Sequence, residues 1–210
     1  MSGIDYSEID YIEVDELDFR LGLTQLLIAN NRLDYSTNRL IERVIQETRH
    51  RAITEALHTY IKEAQNMSTK DLLNEEHRSK RLSDFLTCQG YVRPDDNFEA
   101  HALVSGGHPR AAIAREIIAQ FKIRIDEPAN GLWLPNFKRN LYHNPTYKHA
   151  HRTIHRKIYY LNITSCLEQA MNPIHARAIL RRIAQGLVTG EFPIDRRLRM
   201  KEVMIFAKGI

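Results

Sequence analysis

Two short stretches of this chain read as β-strand, and each is closed by residues that end a strand. His101 to Ser105 runs into Gly106-Gly107, and Leu132-Trp133-Leu134 lies between Asn130-Gly131, which reads as a tight turn, and Pro135. Neither run is long enough to build a sheet of its own. The remaining apolar residues follow a helical spacing. The chain is therefore expected to be mostly α with one small β-hairpin.

The helical spacing is clearest in the first half. A short helix is expected over residues 20–33 and a long one over 36–65, where Leu40/Ile41, Val44/Ile45, Ala52/Ile53, Ala56/Leu57 and Tyr60/Ile61 repeat on one side. Ser68 and Asp71 have capping-box spacing, so a helix should start there, carry Leu72, Leu73, Leu82, Phe85 and Leu86, and stop near Gly90. Arg93-Pro94-Asp95-Asp96-Asn97 is polar and turn-rich, and we place a boundary there, giving domains 1–95 and 96–210. Pro109 suits the start of a helix from Arg110 to Lys122 that buries Ile113, Ile117, Ile118 and Phe121. A long helix is expected from about Tyr147 to Met171. Another, capped by Asn172-Pro173, should run to about Val188.

Charge divides the chain in the same place. Residues 1–97 hold 12 Lys+Arg against 18 Asp+Glu, and residues 98–210 hold 18 against 8. A basic domain behind an acidic one points to a polyanionic partner for the second half, although a solvated face on each half would look the same. Residues 1–19 are the most acidic and read as a flexible arm or a docking strand. The longest apolar runs, such as Leu26-Leu27-Ile28-Ala29, are too short to cross a bilayer, and Met1-Ser2-Gly3-Ile4-Asp5 has neither a basic start nor an apolar signal stretch. A protein made in the cytoplasm is expected, with export by a machine that needs no cleaved signal left open. Cys88 and Cys166 make no disulfide framework and no four-thiolate zinc site.

Histidine is over-represented: there are 10, seven of them from His101 onward. His151 and His155 stand four residues apart in an expected helix, so both rings share a face and can hold one metal ion. In so histidine-rich a segment the pair can also arise by chance. His149, two residues away, would point elsewhere, while His108 and His143 are candidate reserve ligands or phosphate contacts.

Taken in order, Ala100-His101-Ala102-Leu103-Val104, then Ile125-Asp126-Glu127-Pro128-Ala129-Asn130-Gly131-Leu132-Trp133-Leu134-Pro135, then His151-Arg152-Thr153-Ile154-His155 and the aromatic pair Tyr159-Tyr160 resemble the AHH family of toxin nucleases, a branch of the HNH/endonuclease VII superfamily. The resemblance covers about residues 98–170. Behind the N-terminal helical region read from apolar spacing, it implies an HNH-like ββα-metal core with extra C-terminal helices. It also implies a DNase active on phosphodiester bonds, in which His101, His151 and His155 hold one divalent ion (Zn, Ni, Mn or Mg) that stabilises the phosphoryl transition state and the leaving 3′ oxygen. Three imidazoles favour a transition ion over Mg²⁺.

The family opens with Ala-His-His, in which the second histidine activates water. Here that position is Ala102, which has no proton acceptor. Either the natural chain has diverged, or a histidine was replaced so that a toxic protein is tolerated; the intact neighbouring blocks favour replacement. The alanine form should bind metal and DNA but cleave very poorly. Asn130 ties the strands through its amide or serves only as turn chemistry, and both readings stay open. Lys138, Arg139, Arg152, Arg156 and Lys157 are candidates to neutralise backbone phosphates, or are solvated surface charges. The resemblance further implies an antibacterial effector delivered into a target cell, with a cognate immunity protein, and residues 1–95 as an adaptor, delivery or docking region. The competing readings are a nucleic-acid-binding protein without catalysis and a helical interaction module.

Overall fold

The computed structural model describes residues 35–208, and the helix expected over 20–33 lies outside them. Helix α1 spans Tyr35–Glu63, close to the expected range. A compact unit runs from Ile53 onward. Within it, α2 (Thr69–Asn74) begins with the expected capping box: Asp71 N donates to Ser68 Oγ at 3.1 Å and Ser68 N donates back to the Asp71 carboxylate at 3.2 Å.

The single helix expected from there to Gly90 is instead two. The chain leaves α2 at Glu75 and re-enters helix as α3, Ser79–Cys88. The physical reason is Asp126, wholly buried, which accepts a hydrogen bond from Arg78 N at 2.9 Å and so pulls the backbone out of helical register. Apolar periodicity carries no trace of that distant carboxylate.

Strands β1 (Phe98–Ala102) and β2 (Gly131–Pro135) pair antiparallel, with His101 opposite Leu132 and Ala102 opposite Gly131. The first strand is three residues earlier than expected. Past Ala102 the chain bends into the loop at Gly106-Gly107, and Leu103 N bonds Asn130 O at 2.7 Å. One face of the hairpin carries Phe98, Ala100 and Ala102, buried in one cluster with Leu82 and Leu86 of α3 and with Trp133. Gly131 is required at this contact, because a Cβ there would lie 2.5 Å from Leu82 Cδ1.

A 3-10 turn at Pro109–Ala111 leads into α4 (Ala112–Gln120), whose buried side is Ala114, Ile118 and Ala119. Ile113, expected in the core, is 58% exposed because it falls on the face of α4 opposite Ala114 and Ile118. The long helix expected from Tyr147 breaks. A single turn, α5 (His151–Ile154), is followed by α6 (Lys157–Leu167). Between them His155 has φ −69 and ψ 52 and Arg156 N bonds Ile154 O at 2.6 Å, an inverse γ-turn. Helices α7 (Pro173–Thr189, with Asn172 Oδ1 capping His175 N at 2.8 Å) and α8 (Met200–Ala207) follow. Helices α4, α6, α7 and α8 enclose the main core around Ile163, Leu167, Leu180, Ile183 and Phe192. Among the described residues the architecture is mostly helical with one two-stranded sheet, as the sequence pattern implies. No helix among the described residues is long and apolar enough to cross a membrane.

Candidate metal centre

Alternation along β1 puts Glu99 and His101 on the face opposite Ala100 and Ala102. On that face the three predicted histidines meet. Ring centroids are 4.9 Å apart for His101 and His151, 5.2 Å for His101 and His155, and 5.3 Å for His151 and His155. One ligand atom from each lies within 4.8 Å of the other two. The rings converge although His155 is outside the helix on which the four-residue spacing argument relied; the γ-turn turns it back toward His151.

Neighbouring groups set the tautomers. His101 is 2% exposed, and its Nε2 lies 2.9 Å from the hydroxyl of Tyr159. That hydroxyl donates its only proton to Leu103 O at 2.9 Å, so Nε2 of His101 must donate and its Nδ1 keeps the lone pair. His151 Nδ1 donates to the Glu99 carboxylate at 2.6 Å, leaving its Nε2 as the free donor atom. His155 Nδ1 is 2.8 Å from the Tyr160 hydroxyl, which is also bonded to Ser105. A carboxylate or hydroxyl behind each ring is the usual support for metal-bound imidazole. This donor set fits one divalent ion.

The electrostatics agree with that fit. Burial pushes the pKa of His101 well below 6.5, and positive charge on His151, His155 and His77 adds to the effect. Burial, then His151 and His108, lowers His155. Unprotonated imidazoles are what a metal requires. The loop after β1 borders the same space. Arg115 Nη1 donates to Ser105 O at 3.0 Å and His108 O at 2.9 Å, and the His108 ring stacks on Tyr160 at 4.3 Å.

The other predicted residues are placed as follows. Asn130 is wholly buried. Its Oδ1 accepts from Val104 N at 2.8 Å, and its Nδ2 donates to Val104 O at 3.1 Å and Ile125 O at 2.8 Å. It ties the exit of β1 to the approach to β2. Ala102 is 5% exposed and sits among apolar neighbours on the face away from the histidines. Lys138, Arg139, Arg152, Arg156 and Lys157 are all exposed, and the guanidinium groups of Arg139 and Arg152 lie over the Phe137 ring at 4.8 and 4.6 Å. His143 is exposed beside Tyr142, and His149 is half-buried with its Nε2 unpartnered among the described residues. Trp133 and Tyr160 are core residues, as expected.

Glu99, Arg115 and His77 were not singled out by the sequence reading. Glu99 had a signal: it precedes His101 by two residues, hence lies on the same strand face. Arg115 and His77 had none, since their partners lie in other segments.

No curated protein and no solved structure shows significant similarity to the chain. Residues 82–187 match the model of a nuclease family of the HNH/ENDO VII superfamily with a conserved AHH. That stretch takes in both strands, Asn130 and all three converging histidines, and it is half of the sequence: the chain belongs to the AHH nuclease family.

Proposed function

We propose that this chain is the nuclease of an antibacterial effector, a metal-dependent DNase whose present form cleaves very poorly because position 102 is alanine. The observation that carries the reading is the convergence of His101, His151 and His155, one ligand nitrogen of each lying within 4.8 Å of the other two. A divalent ion held there would act as a Lewis acid on the scissile phosphate and assist departure of the 3′ oxygen. The chain's own groups do the rest. Tyr159 and Glu99 fix the orientation of two ligand rings. Asn130 locks the loop that follows β1. Arg139, Arg152, Arg156, Lys157 and Lys138 offer cationic contacts to the backbone of a polyanion. A histidine at 102 would accept the proton of the attacking water; without it about 10²–10⁴ of rate is lost. A basic domain of this kind is matched by an acidic immunity protein as partner. Residues 1–95 serve as the adaptor, delivery or docking region.

Burial of Ala102 among apolar side chains favours a second reading, in which the chain binds metal and nucleic acid without cutting. Nicking of supercoiled plasmid separates the two. The Ala102→His chain should nick in the presence of Mn²⁺, Mg²⁺, Zn²⁺ or Ni²⁺ and lose that activity when His151→Ala is added. Background rates in all four ions would leave only the binding reading.

A further inference from the structure

Among the described residues, strand β2 has a partner strand on one side only. Leu103 N donates to Asn130 O at 2.7 Å and Asn136 N to Asn97 O at 2.8 Å, just beyond the two ends of the ladder. These bonds fix which backbone groups point where. Leu132 and Leu134 turn theirs toward β1, and Gly131, Trp133 and Pro135 turn theirs to the open edge. Gly131 O accepts from Arg181 Nη2, and Pro135 has no N–H to offer. Trp133 N and O remain, and neither has a partner among the described residues. A strand with both groups open is a template for a further strand.

That residue also lines a cavity of about 360 Å³ between β2 and α7. Trp133, Tyr147 and Val188 supply apolar wall, and Tyr91 and Val92, 44% and 71% exposed, supply its solvent side. Arg181 completes it. The Arg181 guanidinium lies 4.8 Å from the centre of the Tyr91 ring, and its Nε is buried with no partner among the described residues. Among the described residues no aspartate or glutamate lines the cavity, and Arg93 lies over the Trp133 ring at 5.8 Å. A buried N–H left unpaired on a cation is costly, and a carboxylate is its strongest acceptor. The edge therefore suits an extended backbone, the cavity an apolar side chain, and Arg181 an acid. None of the three histidines of the metal centre lines this cavity.

We propose that the open edge of β2 is a docking site for an extended acidic segment of a partner protein, which adds a third strand to the sheet. One residue of that segment exchanges both backbone hydrogen bonds with Trp133. An apolar side chain of the segment fills the cavity against Tyr147 and Val188, and a carboxylate accepts from Arg181 Nε. A single-stranded nucleic acid fits less well. Arg181 and Arg93 already lie over the rings of Tyr91 and Trp133, and a sugar-phosphate backbone has no amide to pair with Trp133 O. The site goes beyond the nuclease reading and does not depend on it.

Trp133 is the only tryptophan of the chain, so its fluorescence reads occupancy of the edge directly. The full chain is titrated with a synthetic octapeptide of alternating valine and aspartate. The controls are the same peptide N-methylated at every amide, a valine–lysine octapeptide and an eight-nucleotide oligothymidylate. The valine–aspartate peptide should shift the Trp133 emission saturably, and the methylated and lysine peptides should not. Arg181→Met and, on the exposed side, Val92→Asp should each weaken binding about tenfold. Val92 is exposed, so its substitution tests the site without burdening the fold. An emission unmoved by the valine–aspartate peptide overturns the proposal, as does equal binding of the methylated or the lysine peptide. So does affinity unchanged in both variants. An oligothymidylate that shifts the emission and displaces the peptide would make the edge a nucleic-acid subsite instead.

Discussion

Tyr159 fixes the tautomer of His101: its hydroxyl lies 2.9 Å from Nε2 and gives its own proton to the carbonyl of Leu103. Burial holds the phenol well above its ordinary pKa, so this donor is constant across the physiological range. Tyr159→Phe keeps the ring packing and deletes the hydroxyl. His101 then has no enforced tautomer, and its Nδ1 lone pair is no longer guaranteed. Loss of a partner behind a metal ligand typically costs about 10–100-fold in affinity. Calorimetric titration with Zn²⁺ or Co²⁺ near neutral pH measures it. Equal affinities for the two proteins would show that the hydroxyl does not set the ligand atom.

The depressed pKa values of His101 and His155 give a definite pH dependence for the metal-free protein. Both fall below the ordinary value of 6.5, first by burial and then by neighbouring positive charge. The unfolded chain therefore takes up protons at a pH where the native rings do not. Stability is fully present above 6.5 and is lost progressively as pH falls from there toward each ring's folded value. Added metal should raise the melting temperature at neutral pH and lose that effect over the same interval, because protons and metal compete for the same nitrogens. Thermal melts in chelator across that interval check the sign; a melting temperature that climbs on acidification would contradict it.

Asn130 closes three hydrogen bonds in a wholly buried position. Asn130→Ala leaves Val104 N, Val104 O and Ile125 O without those partners. Each buried group left unmade costs about 1–3 kcal/mol, so a loss of several kcal/mol in unfolding free energy is expected. The loop from Val104 to His108 should loosen first, because its anchor to the β2 approach is gone. Urea denaturation measures the loss, and hydrogen exchange at Val104 N reports the local opening. A variant as stable as the parent would mean that water replaces the amide without cost.

The sequence carries the ligand histidines and the two strands because each follows a local rule: strand alternation and a short return between two histidines. The tight turn expected at Asn130-Gly131 is instead the end of a 3-10 turn, Pro128–Asn130, with Gly131 already extended at φ −125 and ψ 155. Nor does the sequence carry the two interrupted helices. The first break, at Glu75 to Arg78, follows from a buried carboxylate 48 residues from Arg78. The second, at His155, follows from a γ-turn that no proline announces. The four-residue spacing therefore names the right rings through a helix that ends before the second of them. Glu99 was legible in principle from its parity with His101. The Arg124 cluster, in which the guanidinium reaches Glu75 at 2.7 Å and Glu63 at 3.2 Å, was not, since its members come from three segments.

Ala102 marks the position where packing and chemistry make opposite demands. Its methyl group is buried with Leu82, Leu86 and Trp133, opposite a glycine that itself has no room for a Cβ. An imidazole introduced by Ala102→His must displace those side chains or swing past the end of β1, where the strand stops at this residue. Overpacking of this kind costs about 1–3 kcal/mol. A general base gained in return raises the rate by about 10²–10⁴. The variant should therefore melt at a lower temperature than the alanine chain while nicking plasmid DNA faster, and the two changes should appear together. A fall in melting temperature with no gain in rate would make position 102 a packing residue alone. Faster nicking at unchanged stability would mean that the imidazole never enters the Leu82 cluster and that β1 turns outward at its last residue.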